Sequence, residues 1–197
     1  MGKYYTTIPV SANILFENLS ENDLIFKLGW IAGVAYQSED NSLDTCKKRL
    51  AYCMRKGHDS VLEHHSITLS IVVDRATTHA LVRHRHTAYT QESTIYCTYK
   101  DKLQFVDPVT IDEHLLEGIA KWYLENTDNA KVKRDILPNM TKTQLVMTTN
   151  IREWRHIIGL RSDPKDSSRM HDVIELLHYK LRSHYPFFFD EVPQVWK

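Results

Sequence analysis

The chain reads as an α+β protein, with a mixed or antiparallel sheet packed against several helices, one of them long and central. Three features lead there. Amphipathic helical spacings recur, as in Leu24, Ile25, Leu28 and Ile31. Ile67, Leu69, Ile71 and Val73 alternate with Thr68, Ser70 and Val72, the period of a half-buried strand. No repeat, low-complexity tract or Pro/Gly/Ser linker interrupts the 197 residues, so 1–197 is read as a single domain.

Taken in order, the first helix opens after Ser20, a capping residue. A second runs from Leu43 to Lys56 and stops at Gly57. After the strand around Ile67–Val73, helix is expected from Ala76 to about Arg85, and the polar stretch 86–94 reads as loop. Leu103 to Val106 is a short strand ended by Asp107-Pro108, and Ile111 to Glu125 is an amphipathic helix before a turn at Asp128-Asn129. Leu137-Pro138 precedes the long helical pattern, from about Thr141 to Leu160. Asp163-Pro164 breaks it, and Ser167 to Ser183 forms a last helix before Pro186.

Composition narrows the function classes. Hydrophobic residues make up 42% and charged residues 25%, which is globular and not disordered. Lys+Arg and Asp+Glu balance at 25 each, so no overall field draws the chain to nucleic acid. The opening MGKYYTTIPV lacks the apolar core of a signal peptide, and no run has the length to span a membrane. Three cysteines (Cys46, Cys53 and Cys97) without a CxxC pair read as reduced thiols of a cytoplasmic protein. Eleven histidines carry no HEXXH or paired-ligand spacing, so no metal site is read.

Two segments have the residue types for chemistry. Asn150, Trp154, Ile157 and Arg161 share a face of the expected long helix, with Asn150 and Arg161 about 16 Å apart along its axis. They suit opposite ends of a long ligand, or an amphipathic core helix with solvated charges. Arg83 and Arg85, on a continuing helix, would point about 200° apart. Guanidiniums suit anions because their planar fork binds phosphate through two bonds and stays charged. A solvated basic helix end fits the same pattern.

The flanks of these segments add a resemblance. Arg83-His84-Arg85 followed seven residues later by Ser93 resembles the signature of the flavin-dependent thymidylate synthases. "GHDSVLEH" at 57–64, "RDILP" at 134–138 and "NIREWRHIIGLR" at 150–161 resemble further blocks of that family, in the right order. The resemblance implies a homotetramer with active sites built from several subunits. It implies bound FAD, hydride from NADPH, and transfer of one carbon from methylenetetrahydrofolate to carbon 5 of dUMP.

By position, His58, Ser60, Arg83, His84, Arg85, Asn150, Arg152 and His156 are expected to contact FAD. Gln91 is expected between flavin and nucleotide, Ser93 and Arg134 on the nucleotide, and Arg161 at the uracil ring as the catalytic cation. Ser93 is expected to donate a hydrogen bond and not to act as nucleophile, and Cys97 is set aside for that role. Tyr89, Tyr96 and Tyr99 suit stacking on flavin or folate, or packing.

Two positions depart from the family pattern: Ala80 stands where Gln is common, and Ile95 where an arginine helps hold the nucleotide phosphate. His79, His86 or Lys100 are the expected replacements. The alternative readings are modification of carbon 5 in another pyrimidine nucleotide, or a nucleotide- or flavin-binding paralogue without turnover.

Overall fold

A computed structural model describes residues 4–97, 99, 101–107, 112–126 and 128–195. Its strands are β1 (Tyr5–Ile8), β2 (Ser11–Leu15), β3 (Ser66–Asp74), β4 (Thr87–Gln91), β5 (Leu103–Val106) and β6 (Lys142–Asn150). Its helices are α1 (Glu21–Val34), α2 (Leu43–Lys56), α3 (Arg75–Leu81), α4 (Glu113–Glu125), α5 (Ala130–Lys133), α6 (Ile151–Arg161), α7 (Ser168–His184) and α8 (Pro186–Phe189). β1 pairs in parallel with β5, Tyr5 opposite Leu103, and the larger sheet has the order β2-β3-β6-β4. The α+β class therefore stands.

Two compact units divide the chain. One holds the described residues of 1–12, 70–85 and 89–147, the other those of 13–69, 86–88 and 148–197. The first unit buries Tyr5, Leu103, Phe105, Leu116, Ala120 and Tyr123 in one apolar cluster, where α4 meets β1 and β5.

In the second unit, Ser20 and Asp23 form a reciprocal cap on α1. Gly29 lets α1 and α2 approach closely, because a Cβ there would stand 2.4 Å from Cys46 Cβ. Ser42 caps α2 and Gly57 ends it in the left-handed region, φ 70°. α6 is fastened on several sides. The Trp154 indole donates to the Ile67 carbonyl at 3.0 Å, the Ile151 amide to the His65 carbonyl at 3.1 Å, and Arg155 to the Phe188 carbonyl.

His65 sits where the 3-10 turn Asp59–His64 passes into β3. Burial holds its imidazole below the ordinary pKa of 6.5, against the opposing pull of Glu17 and with the help of Lys27. The neutral ring donates from Nε2 to Glu17 at 3.2 Å, so Nδ1, 3.4 Å from the Lys27 ammonium, is its acceptor. A lowered folded pKa means the unfolded chain takes up the proton first as pH falls. The contribution of His65 is therefore complete above about 6.5 and lost as pH falls through the lower folded value. Thermal unfolding from pH 8 to pH 5 should show the melting temperature falling over that window, and His65→Asn should flatten the fall. An unchanged pH slope in the variant would refute the assignment.

Three expectations change. The segment 141–160 is strand β6 followed by helix α6, not one helix. Thr143, Leu145, Met147 and Thr149 are buried while Gln144 is exposed, a period of two, and β6 lies between β3 and β4 in the sheet. The helix expected to reach Arg85 ends at Leu81. The Tyr89 hydroxyl lies 2.8 Å from both the Leu81 and His84 carbonyls and satisfies them past the helix end. Arg83 and Arg85 are thus turn residues, and the helical angle between them does not apply. The stretch 86–94 contains strand β4, whose place beside β6 supplies backbone partners that a polar sequence does not advertise. Lys100, Pro108 and Ile111 lie outside the described residues.

Candidate functional site

In the second unit, Asn150, Arg152 and His156 meet at one polar cavity of about 300 Å³, with Glu63, His86 and Glu153 completing its wall. The fold explains the convergence. Asn150 is the last residue of β6 and the N-cap of α6, its side-chain oxygen accepting from the Glu153 amide at 2.8 Å. Arg152 and His156 lie one helical turn apart on the exposed side of α6, and the buried Trp154, Arg155, Ile157 and Ile158 face inward. Arg152 pairs with Glu63 of the 3-10 turn. The Thr149 hydroxyl holds the His86 carbonyl at 2.6 Å. The wall therefore combines a guanidinium, two imidazoles, an amide and two carboxylates at a helix N-terminus. Such a set suits a ligand with anionic and neutral polar groups along its length.

His58 and Ser60 are exposed in the same unit and do not line this cavity. Arg161 ends α6, at the opposite end from Asn150, with its guanidinium 3.7 Å from the Asp166 carboxylate. The face shared by Asn150 and Arg161 thus begins at a cap and ends at an ion pair.

The first unit carries the other expected residues. Arg83 and Arg85 are exposed, while His84 between them is buried. Gln91 ends β4, and its orientation can be derived. The Thr78 hydroxyl gives its one proton to the Arg75 carbonyl at 2.8 Å, so it can only accept from Gln91, at 3.0 Å. Gln91 Nε2 also reaches Thr143 Oγ1 at 3.3 Å, which leaves the amide oxygen as the atom Gln91 can offer a ligand.

Glu92 locks the next residue. Its carboxylate accepts from Lys142 at 2.7 Å, Tyr99 at 2.7 Å and the Gln144 amide at 3.1 Å. Burial and this carboxylate drive the Tyr99 hydroxyl pKa well above its ordinary value. Tyr99 therefore packs, its ring centroid 5.9 Å from that of Tyr123, while Tyr96 is exposed and Tyr89 closes the turn after α3. Ser93 Oγ accepts from the Ile95 amide at 3.2 Å, which leaves its own proton to donate. Arg134 is exposed at the end of α5.

Sequence reasoning missed Glu63 and Glu153 as cavity residues, although Glu63 lies in the quoted GHDSVLEH block and Glu153 in the α6 block. His86, one of the three residues named as a replacement for the missing arginine, lines this cavity. Among the described residues no cluster of three His, Cys, Asp or Glu could hold a metal ion. No described helix is long and apolar enough to cross a membrane.

Comparison with known proteins follows this geometry. The family model described as thymidylate synthase complementing protein matches residues 23–187. A flavin-dependent thymidylate synthase of Corynebacterium aurimucosum is 28% identical over 207 residues, covering 89% of this chain and 82% of its own length. One of Mycobacterium tuberculosis is 36% identical over 140 residues, covering 57% of this chain and 56% of that protein. The match thus spans little more than half of that second relative. The structure of thymidylate synthase X from Helicobacter pylori with FAD and dUMP superimposes with a TM-score of 0.72 at 19% identity, over 92% of this chain and 97% of that one. That likeness is one of fold.

Proposed function

The chain belongs to the thymidylate synthase complementing protein family, and from that premise we propose that it is a flavin-dependent thymidylate synthase, methylating dUMP to dTMP. The observation that carries this reading is the meeting of Asn150, Arg152 and His156 at one polar cavity. These are residues that the family resemblance assigned to FAD. A single family match running through both compact units supports treating 1–197 as one functional domain.

The cavity's donors fit a diphosphate and a flavin edge, with Asn150 and Arg152 at the start of α6, His156 one turn further along it, and His86 on the wall. Bound there and reduced by NADPH, FAD supplies the hydride for the reaction. Its volume is low in the range for ligand pockets, and a dinucleotide exceeds it. One protomer therefore contacts part of the cofactor, in keeping with a homotetramer whose subunits complete each other's sites. His58, Ser60, Arg83 and Arg85 are exposed for the remainder, with the buried His84 between the two arginines. Cys46, Cys53 and Cys97 are free thiols, which suits a cytoplasmic enzyme.

On the nucleotide side, Gln91 offers its carbonyl oxygen to a ring N–H, Ser93 donates its proton to an oxygen, and Arg134 is exposed for an anion. Arg161, steadied by Asp166, places positive charge where N3 and O2 of the uracil become negative as N3 loses its proton. A fixed cation in a site with little water makes carbon 5 more electron-rich. The one-carbon unit then comes from methylenetetrahydrofolate. The test is anaerobic: the FAD-loaded protein receives NADPH, methylenetetrahydrofolate and dUMP, and dTMP is sought by mass spectrometry. Formation of dTMP is expected; flavin bleaching without dTMP would overturn the reading.

A further inference from the structure

A second cavity in the second unit, of about 620 Å³, is larger than the one at the start of α6 and shares none of its residues. Its size suits a pocket for a small organic molecule. α2 supplies Ala51, Met54 and Arg55, α6 supplies Arg155, and the segment 186–193 forms the facing wall with Phe187 and two prolines. That wall is fastened to the core. Arg155 donates to the Phe188 carbonyl, His178 Nε2 to the Phe189 carbonyl at 2.6 Å, and the Val195 amide to the Gly159 carbonyl at 3.3 Å. Gly159 permits the approach, because a Cβ there would run into the Pro193 carbonyl.

The charges around this cavity differ in what they are free to do. Arg155 is only 9% exposed, and beyond the Phe188 carbonyl it makes no ion pair among the described residues. Burial lowers its pKa against the opposing pull of Asp59 and Glu191, so its charge is incompletely compensated. Arg55 is exposed and likewise makes no ion pair among the described residues. Asp190 is taken by Arg182 at 2.6 Å, and Glu191 is exposed to solvent, which screens it. One buried and one exposed guanidinium beside an aromatic, apolar wall fit a ligand with a flat ring and carboxylates beyond it.

We propose that this cavity binds the p-aminobenzoylglutamate end of methylenetetrahydrofolate, its ring against Phe187 and Met54 and its carboxylates on Arg155 and Arg55. The inference rests on the proposed function, which assigns residues to FAD and to the nucleotide and none to the folate. Helix α6 ties the two cavities together: Arg155 adjoins His156 in sequence, and His156 lines the cavity assigned to FAD. A one-carbon donor has to lie beside the flavin it works with, and one helix then serves both. NADPH, the other partner without assigned residues, carries a 2′-phosphate and a diphosphate, more anion than two guanidiniums beside a carboxylate can match.

The test is calorimetric titration of p-aminobenzoylglutamate into the FAD-loaded full chain. The parent should bind it, and tetrahydrofolate should displace it. Arg55→Gln, at an exposed position whose loss leaves the fold intact, should weaken it by about 10-fold, and Arg155→Lys by more. The KM of Arg55→Gln for methylenetetrahydrofolate should rise by a similar factor, with its KM for dUMP at the parent value. No binding of p-aminobenzoylglutamate to the parent, or equal binding by Arg55→Gln, overturns the assignment. So does displacement by NADP+ and not by tetrahydrofolate, which would give the cavity to the hydride donor. A parent that forms no dTMP sinks the proposed function itself; a parent that forms it, with p-aminobenzoylglutamate held equally by Arg55→Gln, sinks only this site.

Discussion

Arg161→Ala should keep its FAD and lose turnover by about 10²- to 10³-fold, the scale seen when one preorganised charge facing a developing anion is removed. The split follows from position. The FAD cavity lies around the N-terminal end of α6, formed by Asn150, Arg152 and His156, and Arg161 is the helix's last residue. Eleven helical residues separate the two ends by about 16 Å, too far for Arg161 to touch the cavity's ligand at that point. Flavin absorbance of the purified variant reads the first half of the prediction, and dTMP formation under saturating dUMP reads the second. Arg161→Lys should recover little, because an ammonium lacks the planar fork that spans N3 and O2. Its partner Asp166 offers a finer check, since Asp166→Asn should lower turnover less than loss of the guanidinium does. Turnover of Arg161→Ala equal to the parent would remove Arg161 from the chemistry.

The largest stability effect should come from Trp154→Ala. Trp154 is fully buried on α6, and its indole N–H donates to the Ile67 carbonyl of β3. Truncating a buried Trp costs about 3–5 kcal/mol, against a typical total of about 5–15 kcal/mol. For a chain of this size the melting temperature should fall by about 10 °C. Trp154→Phe keeps most of the packing and loses the hydrogen bond, so its cost should be about 1–2 kcal/mol. Because Trp154 faces away from the cavity while its neighbours Arg152 and His156 face it, the alanine variant should also hold FAD more weakly at temperatures where it remains folded. A thermal midpoint within 2 °C of the parent, about 1 kcal/mol or less, would mean that α6 is anchored elsewhere.

Local chemistry explains which elements were legible. α2 has Ser42 accepting from the Thr45 amide at one end and Gly57 at φ 70° at the other, both short-range requirements written in residue type. α7 likewise begins after Ser167, whose side chain accepts from the Met170 amide. β3 announces itself because one row of its side chains is apolar throughout. The segment 141–160 misled because Leu145, Met147, Ile151, Trp154 and Ile158 fit helical spacing about as well as alternation. A short apolar run has no period of its own to decide the matter. β3 and β4 decide it, by lying on either side of 142–150 in the sheet.

The candidate site divides in the same way. The α6 residues were legible because a helix brings residues four apart onto one face, whatever surrounds it. His86 and Glu63 join them only because β6 hands over to α6 beside the 3-10 turn, a relation between distant stretches of chain. Gln91 was named from its place in the motif, yet which of its amide atoms is offered to a ligand depends on Thr78 and, through it, on Arg75.

By itself, then, the sequence determined the α+β class, the caps and stops of its clearest helices, and the family blocks that carry the functional reading. These depend on residue type and on spacings of a few positions, which the chain carries wherever it folds. Only the tertiary structure decided that 142–150 is a strand, and that the RHR turn buries its histidine between two exposed arginines. Burial and hydrogen-bond satisfaction are properties of what lies across from a residue, and that neighbour comes from far along the chain.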